Sequence, residues 1–307
     1  MFNRRHFLAS AGAALAAPAF VSSVPSARAA RAAGAIDPIK RPDGPPKIQL
    51  GLAAYSFRKY LDLKKPTMTL FDFIDLAAEL KVDGVELTQY YFAETTDEYV
   101  DRLKAACAKK NLGIFCLPIR NDFCQKDETK RKADIASVKE WTRRAARLGT
   151  KAVRIFAGNA AKGEEVAARQ RCVDAIEECC KVAEEVGVTL CLENHGGVTS
   201  TADGLLAIVK AVKAKSFGVN IDSSNFRVTD VFSELARIVP YGVVSQIKTE
   251  IYLPGGKKQP MDFAKFFHVL KEGRFSGPVS LEHEANEDPK VTVPQHIKEI
   301  RRALNGA

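Results

Sequence analysis

The sequence predicts a single (β/α)8 TIM barrel, and three observations carry that prediction. Eight short apolar segments recur at spacings of roughly 26 to 39 residues and alternate with helical stretches. Four of the later segments alternate apolar and polar residues and bring an oxygen-bearing side chain to the same phase near their C-terminal ends: Glu193, Asp222, Gln246 and Glu282. The stretch after the first segment, Leu52 to Arg58, has none of the glycines with which an open doubly wound sheet cradles a phosphate. Polar strand ends that converge at one mouth, with helices outside, describe the face of a barrel where active sites lie.

Taken in order, the first strand is Ile48 to Ala54, and a helix from about Thr69 to Lys81 follows it. The second strand, Gly84 to Leu87, turns Glu86 away from Val85 and Leu87. A helix over Asp97 to Asn111 leads to a third strand at Gly113 to Leu117, and one over Glu128 to Leu148 leads to a fourth at Lys151 to Phe156, where Arg154 opposes Val153 and Ile155. A long helix, Glu164 to Val186, feeds the central strand. There Val188, Leu190 and Leu192 alternate with Thr189, Cys191 and Glu193. Strands near 217, 243 and 278 complete the set, separated by helices near 202–214, 230–239 and 261–272; a closing helix is expected from about Pro294, since proline suits a first helical turn.

Three regions follow. Asn3-Arg4-Arg5-His6-Phe7-Leu8 precedes an alanine-rich apolar run to Val21, and Ala27-Arg28-Ala29 offers a small-residue cleavage site, so residues 1–29 resemble a twin-arginine export signal. Residues 30–46, with Pro38, Pro42, Pro45, Pro46 and two glycines, read as a flexible linker, and residues 47–307 as the barrel. The expected location is periplasmic or secreted, with no membrane span in the mature chain. Losing residues 1–29 removes Arg4, Arg5 and Arg28 and no acid, so the net charge falls from +9 to +6. That excess lies on helices such as Lys130 to Arg147 and reads as solvated faces, which argues against a nucleic-acid partner. The seven cysteines form no CxxC pair; as buried free thiols they fill core, Cys191 included.

The converging side chains suggest chemistry. Three carboxylates and a carboxamide at one mouth repel one another unless a cation lies among them, and hard oxygen donors suit Mn²⁺ first, with Mg²⁺ or Co²⁺ as alternatives. The competing arrangement pairs the acids with basic side chains, Lys248 and Arg154 being the candidates. Lys248 shares the face of Gln246, and His195 that of Glu193. Tyr55, Arg58, Glu86, Arg154, His195 and Asn225 are expected to contact substrate, with Glu86 and Arg154 able to pair across the barrel.

From Ile48 onward the chain resembles the sugar phosphate isomerase/epimerase family of xylose isomerase-like barrels, carried by L-E-N-H-G at Leu192, I-D-S-S-N at Ile221 and S-L-E at Ser280. The resemblance implies that Glu193, Asp222 and Glu282 hold one divalent metal, and that Glu193 and Glu282 double as acid and base. Two departures stand out: on the seventh strand Q-I-K-T-E stands in place of the family's H-x-K-D-like pattern, so that Gln246 takes the position of a metal-ligating histidine, and Asn225 stands where relatives commonly have histidine. The function expected is a metal-dependent isomerase or epimerase that removes a proton next to a carbonyl of a non-phosphorylated sugar or keto-sugar, with Lys248 assisting Glu193 and Glu282. Alternatives are a lyase or hydratase on 3-keto-glycosides and a non-catalytic sugar- or metal-binding barrel. A multi-zinc nuclease of this fold would need more histidines than the mature chain retains.

Overall fold

A computed structural model describes residues 37–306. The predicted signal over 1–29 and the first part of the predicted linker lie outside the described residues. Eight parallel strands close into a barrel: β1 (Ile48–Ala53), β2 (Gly84–Glu86), β3 (Gly113–Pro118), β4 (Ala152–Ile155), β5 (Thr189–Glu193), β6 (Phe217–Asp222), β7 (Gly242–Ile247) and, after a hairpin of β8 (Glu250–Tyr252) and β9 (Lys258–Pro260), β10 (Gly277–Leu281). Closure is made by β1 against β10, in the register Leu50 to Val279 and Leu52 to Leu281.

The alternation read in the sequence decides which side chains enter the barrel. Leu190 and Leu192 of β5, Val219 and Ile221 of β6, and Val279 and Leu281 of β10 face outward into the large core beneath the helices. Their neighbours face inward, where Cys116, Ala152, Cys191 and Val244 form a small apolar plug below the polar mouth. Burial pushes the Cys191 thiol far above its ordinary range, so it is inert core; the other six cysteines are also free and buried. Two glycines make room at the bottom of the barrel: a Cβ at Gly51 would lie 2.9 Å from the Phe115 ring, and one at Gly84 would lie 2.6 Å from it.

The outer helices are α1 (Arg58–Leu61), α2 (Leu70–Glu79), α3 (Asp97–Lys109), α4 (Glu128–Leu148), α5 (Glu165–Val186), α6 (Ala202–Val209), α7 (Val231–Ile238), α8 (Phe263–Glu272) and α9 (Pro289–Gly306). Thr69, Thr96, Asp127, Thr201, Asp230 and Asp262 each accept a hydrogen bond from a first-turn amide, which fixes where six of them start. Two sequence expectations shift. Helix α9 starts at Pro289, five residues before Pro294, so it is Pro289 that occupies the first turn, while Pro294 lies inside the helix, where its nitrogen has no hydrogen to donate. The β8–β9 hairpin was unforeseen because Glu250 to Pro260 shows little apolar alternation.

The described part of the predicted linker, 37–46, has no regular structure yet is tied to the barrel floor. Ile39 N–H donates to Pro240 O at 2.9 Å, and the Arg41 guanidinium donates to Ser276 O at 3.2 Å and to Gly242 O. Arg274 donates back to Pro42 O at 3.0 Å. Among the described residues no helix is long and apolar enough to cross a membrane.

Candidate active site

Each strand end at the mouth delivers one or two polar side chains because the pleat puts every second residue inside. From β6, Asp222 is fully buried, and its Oδ1 accepts from the amides of Ser224 at 2.8 Å and Asn225 at 3.0 Å. Asn194, just past β5, locks the two strands together: its Nδ2 donates to Asp222 O at 2.9 Å while its Oδ1 accepts from Asp222 N–H at 2.8 Å. From β4, Arg154 Nε lies 2.9 Å from Glu193 Oε2, and Arg154 also donates to Ile119 O at 3.0 Å. The other Glu193 oxygen accepts from Asn225 Nδ2 at 2.9 Å.

Lys248, just beyond β7, is the hub. Its Nζ lies 2.8 Å from Glu284, 3.2 Å from Glu282 and 3.3 Å from Asp222, and its side chain is only 4% exposed. Burial alone would push this ammonium down, but the surrounding carboxylates outweigh it and hold it well above its usual value. Glu284 closes the tightest pair. Burial would raise it, yet the Lys248 charge keeps it below the ordinary carboxylate range. Burial lifts Glu86, Glu193, Asp222 and Glu282 to about 7, the nearby cations notwithstanding. The directions for Lys248 and its partners are compatible: Lys248 and Glu284 form the ionised pair, while Asp222 and Glu282, at longer distance, share what remains of the positive charge.

The structure brings Glu193, Asp222, Gln246, Glu282 and Lys248 to one mouth, as predicted, but arranges them as the competing alternative. Whether a divalent ion fits can be tested on the donor atoms. One feature favours it: Asp222 Oδ2 makes no hydrogen bond. The rest disfavour it. Lys248 stands among the acids, Glu193 is taken by Arg154 and Asn225, and Gln246 Oε1 accepts from Asn220 Nδ2 at 2.8 Å while its Nε2 donates to Glu86 at 2.8 Å. Among the described residues no group of three His, Cys, Asp or Glu side chains is placed to hold a metal. As arranged, these residues do not fit the ion.

The predicted substrate contacts divide. Tyr55, Arg154 and His195 line a cavity of about 270 Å³ together with Glu193, Glu282 and Glu284. Asn225 and Lys248 line an adjoining one of about 590 Å³, and His195 and Glu284 border both. His195 sits at the rim with its ring 4.2 Å from that of Phe156; burial of the imidazole, and then the charges of Arg154 and Lys248, press its pKa down and favour the neutral form. Glu86 does not reach substrate space. It is fully buried under the mouth and bonded to Gln246, so neither the expected substrate contact nor the alternative pair with Arg154 is formed. Arg58 is also otherwise engaged: it donates to His283 O at 2.8 Å and Glu284 O at 2.9 Å and stacks on Tyr55, so it positions the segment that carries Glu284. Glu250, two residues past Lys248, pairs with Lys258 at 2.9 Å and leaves Lys248 to the acids of the mouth.

Sequence reasoning missed Glu284, Asn220 and Tyr90. Period-two counting finds the first two, one two residues past Glu282 and the other two before Asp222. Tyr90, which hydrogen-bonds Arg154, follows β2 in a 3-10 turn and carries no such signal.

Comparison with known proteins agrees with the barrel. Solved structures similar to it include D-psicose 3-epimerase in the presence of D-fructose (17% identity, 84% of this chain and 97% of that chain, TM-score 0.66) and the 3-keto-D-glucoside 4-epimerase YcjR from E. coli (15%, 83% and 100%, TM-score 0.68). A third is the IolI protein with a bound zinc atom (21%, 83% and 96%, TM-score 0.67). No curated protein matches the sequence. The profile of the xylose isomerase-like TIM barrels matches residues 74–304, which takes in β2 to β10 and every side chain at the mouth except Tyr55 and Arg58. With the closed eight-stranded barrel and its acidic C-terminal mouth, that match makes the chain a member of the xylose isomerase-like TIM barrel family.

Proposed function

We propose that the protein is a sugar isomerase or epimerase that moves a proton at a carbon next to a carbonyl of a non-phosphorylated sugar or keto-sugar. The observation that carries the reading is the pair Glu193 and Glu282: both are buried, both line one cavity, and burial holds both at about 7. Near neutrality one carboxyl is ionised and the other protonated, the condition for one to take a proton and the other to return it. The ionised carboxylate removes the C–H proton, the C–H pair becomes a carbon–carbon double bond, and the carbonyl π pair moves onto oxygen to give an enediolate. Lys248 balances that charge, and the acid partner then protonates carbon. Named neighbours such as the D-psicose 3-epimerase support the class, though at these identities the likeness is one of fold.

The two buried cations of the mouth, Arg154 and Lys248, are already paired with Glu193 and with Glu282 and Glu284, which leaves Arg120 and Arg227 at the cavity edges as the cations open to a substrate. The twin-arginine-like leader, Asn3 to Leu8, supports an exported protein that meets free sugars and glycosides. A second reading, elimination from a 3-keto-glycoside, draws support from the larger adjoining cavity, whose Asn159, Ser200 and Thr201 offer polar room for a second ring.

The test is solvent exchange. Incubated with candidate keto-sugars in deuterated water, the protein is expected to label the carbon next to the carbonyl; an epimerase returns a labelled sugar and a lyase releases the glycosidic group. Glu193→Gln and Glu282→Gln should each lose about 10²- to 10⁴-fold of exchange. Exchange that survives both substitutions defeats the mechanism, and no exchange with any keto-sugar leaves a non-catalytic barrel.

A further inference from the structure

We infer that Lys248 takes the place of a divalent cation in this barrel, so that the chain carries no resident metal; the inference rests on the proton-transfer reading only for what the ammonium then does. The first observation is one of position. Lys248 Nζ stands as an ion-pair partner among three carboxylates within 3.3 Å, Asp222 at the end of β6 and Glu282 and Glu284 beyond β10. A cation bound between Asp222 and Glu282 would have to share this space with Lys248, at a separation where like charges repel strongly in a buried site.

The second observation concerns Gln246, which approaches the acids as a donor. Its Nε2 donates to Glu86 at 2.8 Å and lies 3.5 Å from Glu282 Oε1, while its carbonyl oxygen is held by Asn220. Turning the amide over would set that oxygen against Glu86, acceptor against acceptor when Glu86 is ionised, so the orientation with Nε2 toward Glu86 is the one an ionised Glu86 selects. A third observation is that Glu193, which would complete a ligand set, has both oxygens engaged, by Arg154 and Asn225. Every side chain predicted as a ligand thus faces a protein cation or donor from a different strand. In the proposed reaction Lys248 is then the positive group nearest Glu282, and it stabilises the enediolate oxygen by charge and hydrogen bond.

The experiment reads metal directly and so is independent of whether a sugar substrate is found. Mature protein expressed with manganese and zinc in the medium and purified without chelator is expected to hold far less than one ion per chain, and its melting midpoint should not move with EDTA or with added MnCl₂. Close to one tightly held ion per chain overturns the inference. So does a midpoint that falls on chelation by roughly 5 °C or more, the scale expected for an ion bound a hundredfold above its Kd. The double variant Gln246→His with Lys248→Met removes the ammonium and adds an imidazole; it is expected to take up about one Mn²⁺ or Zn²⁺ and to gain a midpoint rise of that size. A folded double variant that binds neither ion overturns the inference. If that variant does not fold, the single variant Gln246→His, which keeps Lys248, is expected to stay metal-free, and binding there overturns it as well.

Discussion

Replacing Lys248 with methionine tests the charge balance of the mouth, and the structure sets both the size and the pH dependence of the effect. Methionine keeps the length and apolar stem but leaves Asp222, Glu282 and Glu284 facing one another without the ammonium that lies within 3.3 Å of each. At pH 8 the two groups held at about 7 are mostly ionised, and breaking a buried pair by removing one partner costs about 3–5 kcal/mol. At roughly 2–4 °C per kcal/mol this lowers the melting midpoint by about 6–20 °C. At pH 5.5 Asp222 and Glu282 are protonated, and only Glu284, whose side chain is 27% exposed and able to hydrate, is left charged; the cost should shrink to about 1 kcal/mol. The sign follows from linkage. A carboxyl whose folded pKa is raised above its unfolded value favours the fold at low pH, and that contribution is lost as pH rises through the folded value. Removing the ammonium raises those values further, so the variant loses stability more steeply with pH than the parent, and over a window extending above 7. Urea or thermal melts of both proteins at pH 5.5 and 8, in EDTA so that no adventitious ion replaces the lysine, measure this. An equal cost at both pH values, or less than about 1 kcal/mol at pH 8, refutes the account of Lys248 as the counter-ion of three buried acids.

The parent protein itself should lose stability between about pH 4.5 and 7, since Glu86, Glu193, Asp222 and Glu282 all titrate upward on folding; neutral His195 opposes them with the opposite sign, and urea midpoints across that range should show the carboxyls winning. Arg58→Met should remove two charge-assisted bonds to the His283 and Glu284 carbonyls, costing about 1–3 kcal/mol in urea melts, and should raise KM more than it lowers kcat because Glu284 loses its fixed place. Gly51→Ala puts a Cβ 2.5 Å from Ser280 Oγ and 2.9 Å from Phe115, and overpacking of this kind costs about 1–3 kcal/mol; a melt unchanged from the parent contradicts the tight barrel floor. Changing Arg4 and Arg5 to lysine should hold the precursor in the cytoplasm, as fractionation would show, whereas equal export means a different route.

The sequence by itself determined the barrel and the face each strand residue takes. A strand has a period of two, so once Leu190 and Leu192 pack under the helices, Cys191 and Glu193 have nowhere to point but inward, and the same holds for Asp222, Gln246 and Glu282. Helix starts were legible for a similar reason, because caps such as Thr69 and Asp127 act within three residues of themselves. What only the tertiary structure decided is which charges meet. Arg154 had Glu86 and Glu193 within plausible reach and took Glu193; Lys248 had Glu250 and Glu282 and took Glu282 with Asp222 and Glu284; Arg58, read as a substrate contact, was taken up by two carbonyls 225 and 226 residues away. Each outcome turns on differences of an ångström or so among partners from different strands, below what a pattern of residue types specifies. The tilt and register of a closed barrel fix those distances, and with them whether the acids at the mouth wait for a metal or already hold their cation.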